Sequence, residues 1–228
     1  MDVFGKALTD FYRKGHSKKL WLHNSYGKPE DMPVDIFFRS PAELSELELA
    51  ALAVCRGKVL DIGAGAGAHS LVLQSEGFDV TALEISPAAA EIMRDRGVRK
   101  VIHGDIRAYS AETYDTLLML MNGIGLCADV RGLQVLLPQL KSLLKEKGQI
   151  LLDSSDIAYL YRPGKFPDDY YYGEISYQYE YQGDKGEWFK WLYIDFERLS
   201  ELAASFGFAC ELLFEDDMDQ YLARLSLS

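Results

Sequence analysis

From Lys58 onward, short apolar runs and helical apolar periods take turns along the chain. An apolar run, Lys58–Asp61, precedes a helical pattern from about Gly67 to Glu76 that Gly77 stops. Asp79–Leu83 precedes a second helix, opened by Ser86-Pro87 and closed by Gly97. Val98–Ile102 leads to a short segment around Asp105, and Asp115–Met121 is apolar on both faces, as a covered central parallel strand must be. A helix from about Val130 to Glu146 and a strand Gln149–Leu152 continue the alternation. Strands alternating with helices predict an α/β fold with a doubly wound, mostly parallel sheet and right-handed crossovers.

The pattern changes at both ends of this unit. Val3, Phe4, Ala7, Leu8, Phe11 and Tyr12 recur at helical spacing, and Gly15 ends that helix. His16 to Asp35 has no clear period and reads as an irregular arm across the core. Ser40, Pro41 and Glu43 form a capping-box start for a helix that runs through Val54 to a stop at Gly57. Further on, Pro163 to Asp169 reads as a loop. Glu174–Gln182 alternates apolar and polar positions, turns at Gly183–Gly186, and returns as Glu187–Ile194, a β-hairpin inserted into the α/β pattern. Asp195 caps a helix Phe196–Phe206. Ala209–Phe214 and Gln220–Leu227 then close the chain as antiparallel neighbours, since so short a connection excludes a parallel crossover. The expected architecture is a seven-stranded sheet with a C-terminal antiparallel pair. Residues 1–39 form an N-terminal arm or cap and residues 40–228 the core, with the hairpin inserted at 163–194.

Composition narrows the function classes. The 228 residues are 48% hydrophobic and 26% charged, the balance of a globular chain. A formal net charge of -11 argues against a phosphate-backbone partner. Arg13, Lys14, Lys18 and Lys19 are the one short basic cluster, read as a solvated face. Cys55, Cys127 and Cys210 are scattered without metal or redox spacing, which suits reduced thiols in a cytoplasmic protein. No apolar run is long enough to cross a bilayer, and the four histidines form no metal pattern.

The stretch around Gly63, Gly65 and Gly67 carries the chemistry. A strand ending in a glycine-rich turn and a helix N-terminus lets a nucleotide-like ligand approach bare backbone. Asp61 ends that strand. Glu84 ends the next, close to the ~20-residue offset at which a carboxylate reaches a ribose. Asp105 follows the third strand and Asn122 the fourth, so all four face the crevice at the carboxyl ends of the strands. Because Gly63-Ala-Gly65-Ala-Gly-Ala68 also fits a dinucleotide fingerprint, an NAD-dependent oxidoreductase is the alternative; Asp61, awkward beside a pyrophosphate, speaks against it.

Val59-Leu-Asp-Ile-Gly-Ala-Gly-Ala-Gly67, Leu83-Glu-Ile-Ser86, Gly104-Asp-Ile106 and Asp115–Gly123, in this order, resemble the motifs of class I S-adenosylmethionine-dependent methyltransferases. The resemblance covers roughly residues 56 to 155 and implies S-adenosylmethionine as cofactor. It further implies that Gly63, Gly65 and Gly67 admit the methionine and ribose portion, and that Asp61 attracts the α-ammonium. Glu84 would accept from the ribose hydroxyls and Asp105 from the adenine amino group, with Ile85 and Ile106 on either side of the ring. Asn122 would border the reacting sulfur. His69 could reach the cofactor carboxylate, although an exposed surface position is the favoured reading. A cofactor-binding protein of the same fold without catalysis is a second alternative.

The acceptor side is less defined. Methyl transfer needs alignment and exclusion of water more than covalent help, and a base only where the acceptor must lose a proton. The arm, the segment after the fifth strand and the hairpin supply the candidates Tyr12, Trp21, His23, Asn24, Asp153, Asp156, Tyr159, Tyr177 and Trp191. Asn122, Tyr159 and His23 are singled out as catalytic, and the aromatic hairpin face is read as packing. Asn122 lacks the Asn-Pro-Pro-Tyr context of base and amide N-methyltransferases. A small-molecule acceptor is therefore expected, without nucleic acid or membrane, in a monomer or homodimer.

Overall fold

A computed structural model describes residues 1–161 and 165–228. Its larger sheet follows the alternation read above. Strands β3 (Lys58–Ile62), β4 (Asp79–Glu84), β5 (Val101–His103), β6 (Tyr114–Met119) and β7 (Leu144–Ser155) are mutually parallel. The antiparallel pair β11 (Phe208–Glu215) and β12 (Gln220–Leu227) completes the seven-stranded order β11-β12-β7-β6-β3-β4-β5. The order reverses between β3 and β6, which places the crevice at the ends of those strands. Helices α3 (Ala68–Ser75), α4 (Pro87–Asp95), α5 (Val130–Ser142) and α6 (Phe196–Ser205) lie between the strands. Leu60, Leu117, Ile150 and Leu225 on one sheet face and Val59, Leu118, Leu151 and Leu222 on the other are buried in separate clusters. Covering on both faces is why these strands read as continuous apolar runs.

The arm is more ordered than its sequence suggests. After α1 (Val3–Lys14), capped by Asp2 and Gly15, come β1 (Leu20–Asn24) and β2 (Glu30–Met32). β1 pairs with β8 (Glu174–Tyr181), which also pairs with β10 (Phe189–Leu192) and the short β9 (Asp184–Lys185). Arm and inserted hairpin thus form a single second sheet, ordered β10-β8-β1-β2. Buried Tyr181 and Leu20 of this sheet pack with Val3, Ala7 and Leu8 of α1. The expected irregular arm is corrected here: its strand needs a partner more than 150 residues away. Of the loop expected from Pro163, that residue lies outside the described segments.

The helix expected from Ser40 is also two pieces. Ser40 and Glu43 close a capping box on one 3-10 turn, Pro41–Glu43. Leu44 is extended, and a second box, Ser45 with Glu48, starts α2 (Glu46–Ala53). Among the described residues, no helix is long and apolar enough to cross a membrane, and no cluster of His, Cys, Asp or Glu is arranged to hold a metal ion.

Candidate active site

The crevice between the two sheets encloses a cavity of about 650 Å³. Its floor is built by the strand ends of the larger sheet. Gly63 and Gly65 adopt left-handed backbone, with φ of 73° and 56°, and both line the cavity. A Cβ on Gly63 would press on Leu126, and one on Gly65 on Phe37 of the arm, so the turn admits a ligand only as bare backbone. Gly67 has another task. It is left-handed at the N-cap of α3, lies outside the lining, and faces Met93 and Val98, letting α3 approach α4.

Three carboxylates at or just after strand ends of the larger sheet line the cavity. Asp61 is 2% exposed and accepts from Ser70 Oγ at 2.6 Å; burial pushes its carboxyl above the usual range. Glu84 is also buried, and burial raises its carboxyl against the pull of backbone donors. Gly65 N donates to Glu84 Oε2 and Ser86 N to Glu84 Oε1, both at 2.8 Å. Each oxygen keeps a further lone pair for a hydroxyl. Asp105, half-buried, accepts from Arg107 N at 2.9 Å and Arg107 Nε at 3.2 Å. Beside these, Ile106 is buried and Ile85 is 57% exposed, and both line the cavity.

His69 is buried in the cavity wall, contrary to the exposed position favoured from sequence. Its Nε2 lies 2.7 Å from Glu48 Oε1, and Glu48 in turn accepts from Arg39 NH1 at 2.8 Å and NH2 at 2.5 Å. The first turn of α3 is thereby tied to α2 and to the segment leading from the arm. No spacing rule announces this network. Its sequence signal is the second capping box, which brings Glu48 back over the start of its own helix.

Asn122 lies in the loop that follows β6. Met121 and Asn122 are both left-handed, with φ of 62° and 56°, a conformation non-glycine residues hold only when neighbours enforce it. Asn122 Nδ2 donates to Leu192 O at 3.2 Å, and Gly123 N donates to Asp153 Oδ1 at 3.1 Å. Asn122 Oδ1 is buried without a hydrogen-bond partner among the described residues. Asp153, fully buried behind this turn, has its carboxyl pushed up to about 6 by burial. A folded-state value above the unfolded one adds stability that is complete below about pH 4 and lost as pH rises through about 6. Urea unfolding of Asp153→Asn should therefore show a flatter profile than wild type between pH 4 and 7, the difference reaching on the order of 2 kcal/mol. Parallel profiles would refute the buried, protonatable state of Asp153.

The roof is the aromatic face of the second sheet. Tyr177 and Tyr179 of β8, Phe189 and Trp191 of β10, and Tyr193 beyond it all line the cavity. A Cβ on Gly125 would collide with the Trp191 indole, so that ring rests on the loop after β6. The hairpin face is a cavity wall and not packing alone. Strand parity decides which arm residues join it. Leu22 faces the cavity, while His23 turns to the opposite face and pairs with Glu180 at 2.7 Å. Tyr159 is likewise not brought to the crevice. Ala158 N donates to Asp156 Oδ1, and the resulting turn buries Ile157 and leaves Tyr159 55% exposed. His23 and Tyr159 are thus corrected as catalytic candidates. Tyr12, Trp21, Asn24 and Asp156 also lie outside the lining. The lining residues that sequence reasoning missed include Asp2, Phe4 and Phe37 of the arm and Tyr179, Phe189 and Tyr193 of the roof.

Comparison with known proteins agrees with this fold. Residues 59–148 match the family model described as a methyltransferase domain. The crystal structure of an S-adenosylmethionine-dependent methyltransferase from Bacteroides fragilis, in complex with S-adenosyl-L-homocysteine, is similar over 100% of this chain and 95% of its own. Identity is 38% and the TM-score 0.92. The CcbJ methyltransferase from Streptomyces caelestis shares the fold over 99% of this chain and 98% of its own, with 13% identity and a TM-score of 0.68. Among curated relatives, the type II methyltransferase M.NgoMIV from Neisseria gonorrhoeae is 42% identical over 67 residues. That match takes in 28% of this chain and spans only 22% of the relative's length.

Proposed function

The chain belongs to the S-adenosylmethionine-dependent methyltransferases, and from that premise we propose that its acceptor is a small molecule enclosed between the two sheets. The observation that supports this is the cavity itself: a floor of bare glycine backbone and strand-end carboxylates under a roof of aromatic rings. An extended polymer would need an open groove with clustered cations, and this chain carries a net charge of -11.

The residues present fit the cofactor. Asp61 is buried with one hydroxyl donor, a setting completed by a cationic group such as an α-ammonium. Glu84 has lone pairs left for a ribose diol, Asp105 for an exocyclic amine, and Ile85 and Ile106 offer apolar faces for a purine. When bound, S-adenosylmethionine supplies a methyl group activated by a sulfonium. The work of the chain is then to hold the acceptor in line with that methyl at ~3–3.5 Å and to keep water out. The aromatic roof serves exclusion, and the braced turn at Met121–Asn122 fixes the border between cofactor and acceptor.

A thermal-shift and calorimetric comparison of S-adenosylhomocysteine with NAD tests the cofactor assignment at Asp61 and Glu84. The homocysteine compound should bind and raise Tm. Binding of NAD alone would overturn that assignment. Methyl transfer from radiolabelled S-adenosylmethionine to small acceptors, and not to DNA or protein, is the expected result with acceptor panels.

A further inference from the structure

We propose that the acceptor of this cavity is an amine, received as a hydrogen-bond-donating cation by the oxygen of Tyr193 among the aromatic rings of the roof. The proposal rests on the reading of this cavity as a small-molecule methyltransferase site.

The first observation is a directed chain of phenols. Tyr26 OH donates to Glu30 Oε1 at 2.9 Å. Tyr26 OH lies 3.5 Å from Tyr177 OH, and Tyr177 OH lies 3.1 Å from Tyr193 OH. Each phenol has a single proton to give, and a carboxylate has none. Because the Tyr26 proton is committed to exposed Glu30, Tyr177 must donate to Tyr26, and Tyr193 must donate to Tyr177. The Tyr193 oxygen at the cavity is then left as an acceptor seeking a donor. Burial raises the phenols of Tyr177 and Tyr193 above their ordinary range and Tyr26 to about 12, so all three hold their protons at neutral pH. The anchoring carboxylate is itself held in place, since Asn24 Nδ2 donates to Glu30 Oε1 at 3.3 Å.

The second observation is charge. Beyond Asp61, Glu84 and Asp105, which the cofactor takes up, Asp2 and Glu187 line the cavity, against Arg107 as the one Lys or Arg side chain among the described residues. Arg107 is engaged on Asp105, and the His69 ring is hydrogen-bonded to Glu48. No unpaired Lys or Arg side chain among the described lining residues would meet a carboxylate or phosphate acceptor. An ammonium, by contrast, finds negative ring faces as well as the phenol oxygen. Phe189 lies between Tyr179 and Trp191, with ring centroids 5.1 and 6.3 Å away, and Tyr177 is 6.2 Å from it. Such faces attract cations and exclude water. A neutral hydroxyl would satisfy Tyr193 but gain nothing from the acidic lining.

The same chain accounts for the proton. An ammonium must lose one N–H before its nitrogen has a lone pair to attack with. That proton passes to Tyr193 oxygen as the Tyr193 proton moves to Tyr177, the Tyr177 proton to Tyr26, and the Tyr26 proton to Glu30. Three neutral phenols are restored, and Glu30 becomes a carboxylic acid in contact with solvent. The balance needs no further reagent.

Binding to the full chain saturated with S-adenosylhomocysteine tests this without knowledge of the natural acceptor. Calorimetry would compare benzylamine as its ammonium, benzyltrimethylammonium, which has charge but no N–H, and benzoate. Benzylamine should bind at least tenfold more tightly than benzoate. Tyr193→Phe should weaken benzylamine about tenfold and leave benzyltrimethylammonium unchanged. Tyr26→Phe and Glu30→Gln, which break the chain away from the cavity, should weaken benzylamine in the same selective way. Retained binding of S-adenosylhomocysteine reports that each variant is folded. Equal or tighter binding of benzoate, absence of benzylamine binding to the saturated protein, or indifference of benzylamine to Tyr193→Phe would each overturn the proposal. Failure of S-adenosylhomocysteine to bind wild type would instead overturn the reading of the cavity on which the proposal rests.

Discussion

Replacing Glu84 by Ala is expected to lower the affinity for S-adenosylhomocysteine by roughly 10- to 100-fold in calorimetry, corresponding to ~1.5–3 kcal/mol for hydrogen bonds to a charged acceptor. Two effects act together. The carboxylate that would meet the ribose diol disappears. The glycine turn also loses the acceptor that fixes it, because Gly65 N and Ser86 N both bond to Glu84. Left-handed Gly65 is then free to sample other conformations, and the cavity floor must be ordered anew on binding. Glu84→Gln separates the two effects. Its amide keeps one acceptor for a backbone N–H but places an NH2 against the other, so its affinity should fall between wild type and Ala. Unchanged binding by Glu84→Ala would refute the ribose assignment.

The position of Glu84 illustrates which parts of the site the sequence discloses. Strand ends in a parallel sheet share one edge, so Asp61, Glu84, Asp105 and Asn122 could be gathered from chain order alone, and the structure brings all four to one cavity. The doubly wound core is legible for the same reason. Apolar runs such as Leu117–Met119 are covered on both faces, and glycines punctuate them. Legibility fails where structure depends on distant partners. β1 sets Leu20 and Leu22 among Trp21, His23 and Asn24, too short and mixed a run to read as a strand, and its pairing with β8 makes it one. His23 is an attractive base by residue type, but its side of the strand is set only by the pairing of β1 with β8, which turns it toward Glu180. The aromatic alternation of β8 was visible, yet whether it met a helix or a cavity depended on the placement of the whole second sheet. At Ser40 the capping box with Glu43 reads as the helix start, but extended Leu44 ends that turn and a second box, Ser45 with Glu48, starts α2.

Glu48→Ala should be the most destabilising single change at the site, costing about 3–5 kcal/mol in urea unfolding. Glu48 is 4% exposed and joins three segments that sequence separates: Arg39 after the arm, Ser45 at the start of α2, and His69 in the cavity wall. Its hydrogen bonds to His69, Ser45 and Arg39 outweigh the cost of burial and hold its carboxyl at about 2. Depression below the unfolded value means that its contribution is complete above about pH 4.5 and is lost as pH falls toward 2. Removal of the carboxylate leaves the Arg39 guanidinium and the His69 ring nitrogen facing each other without their shared acceptor, and the Ser45 backbone N–H without its cap. Glu48→Gln retains size and one acceptor oxygen, so it should lose less than Ala while abolishing the acid-dependent part of the profile. The network also connects to function, because His69 lines the cavity on the first turn of α3. If it positions the start of that helix beneath the glycine turn, Glu48→Gln should weaken S-adenosylhomocysteine binding even under conditions where the protein is fully folded. Full affinity in folded Glu48→Gln would confine Glu48 to stability, and a loss below about 1 kcal/mol for Glu48→Ala would show that the buried network carries little of it.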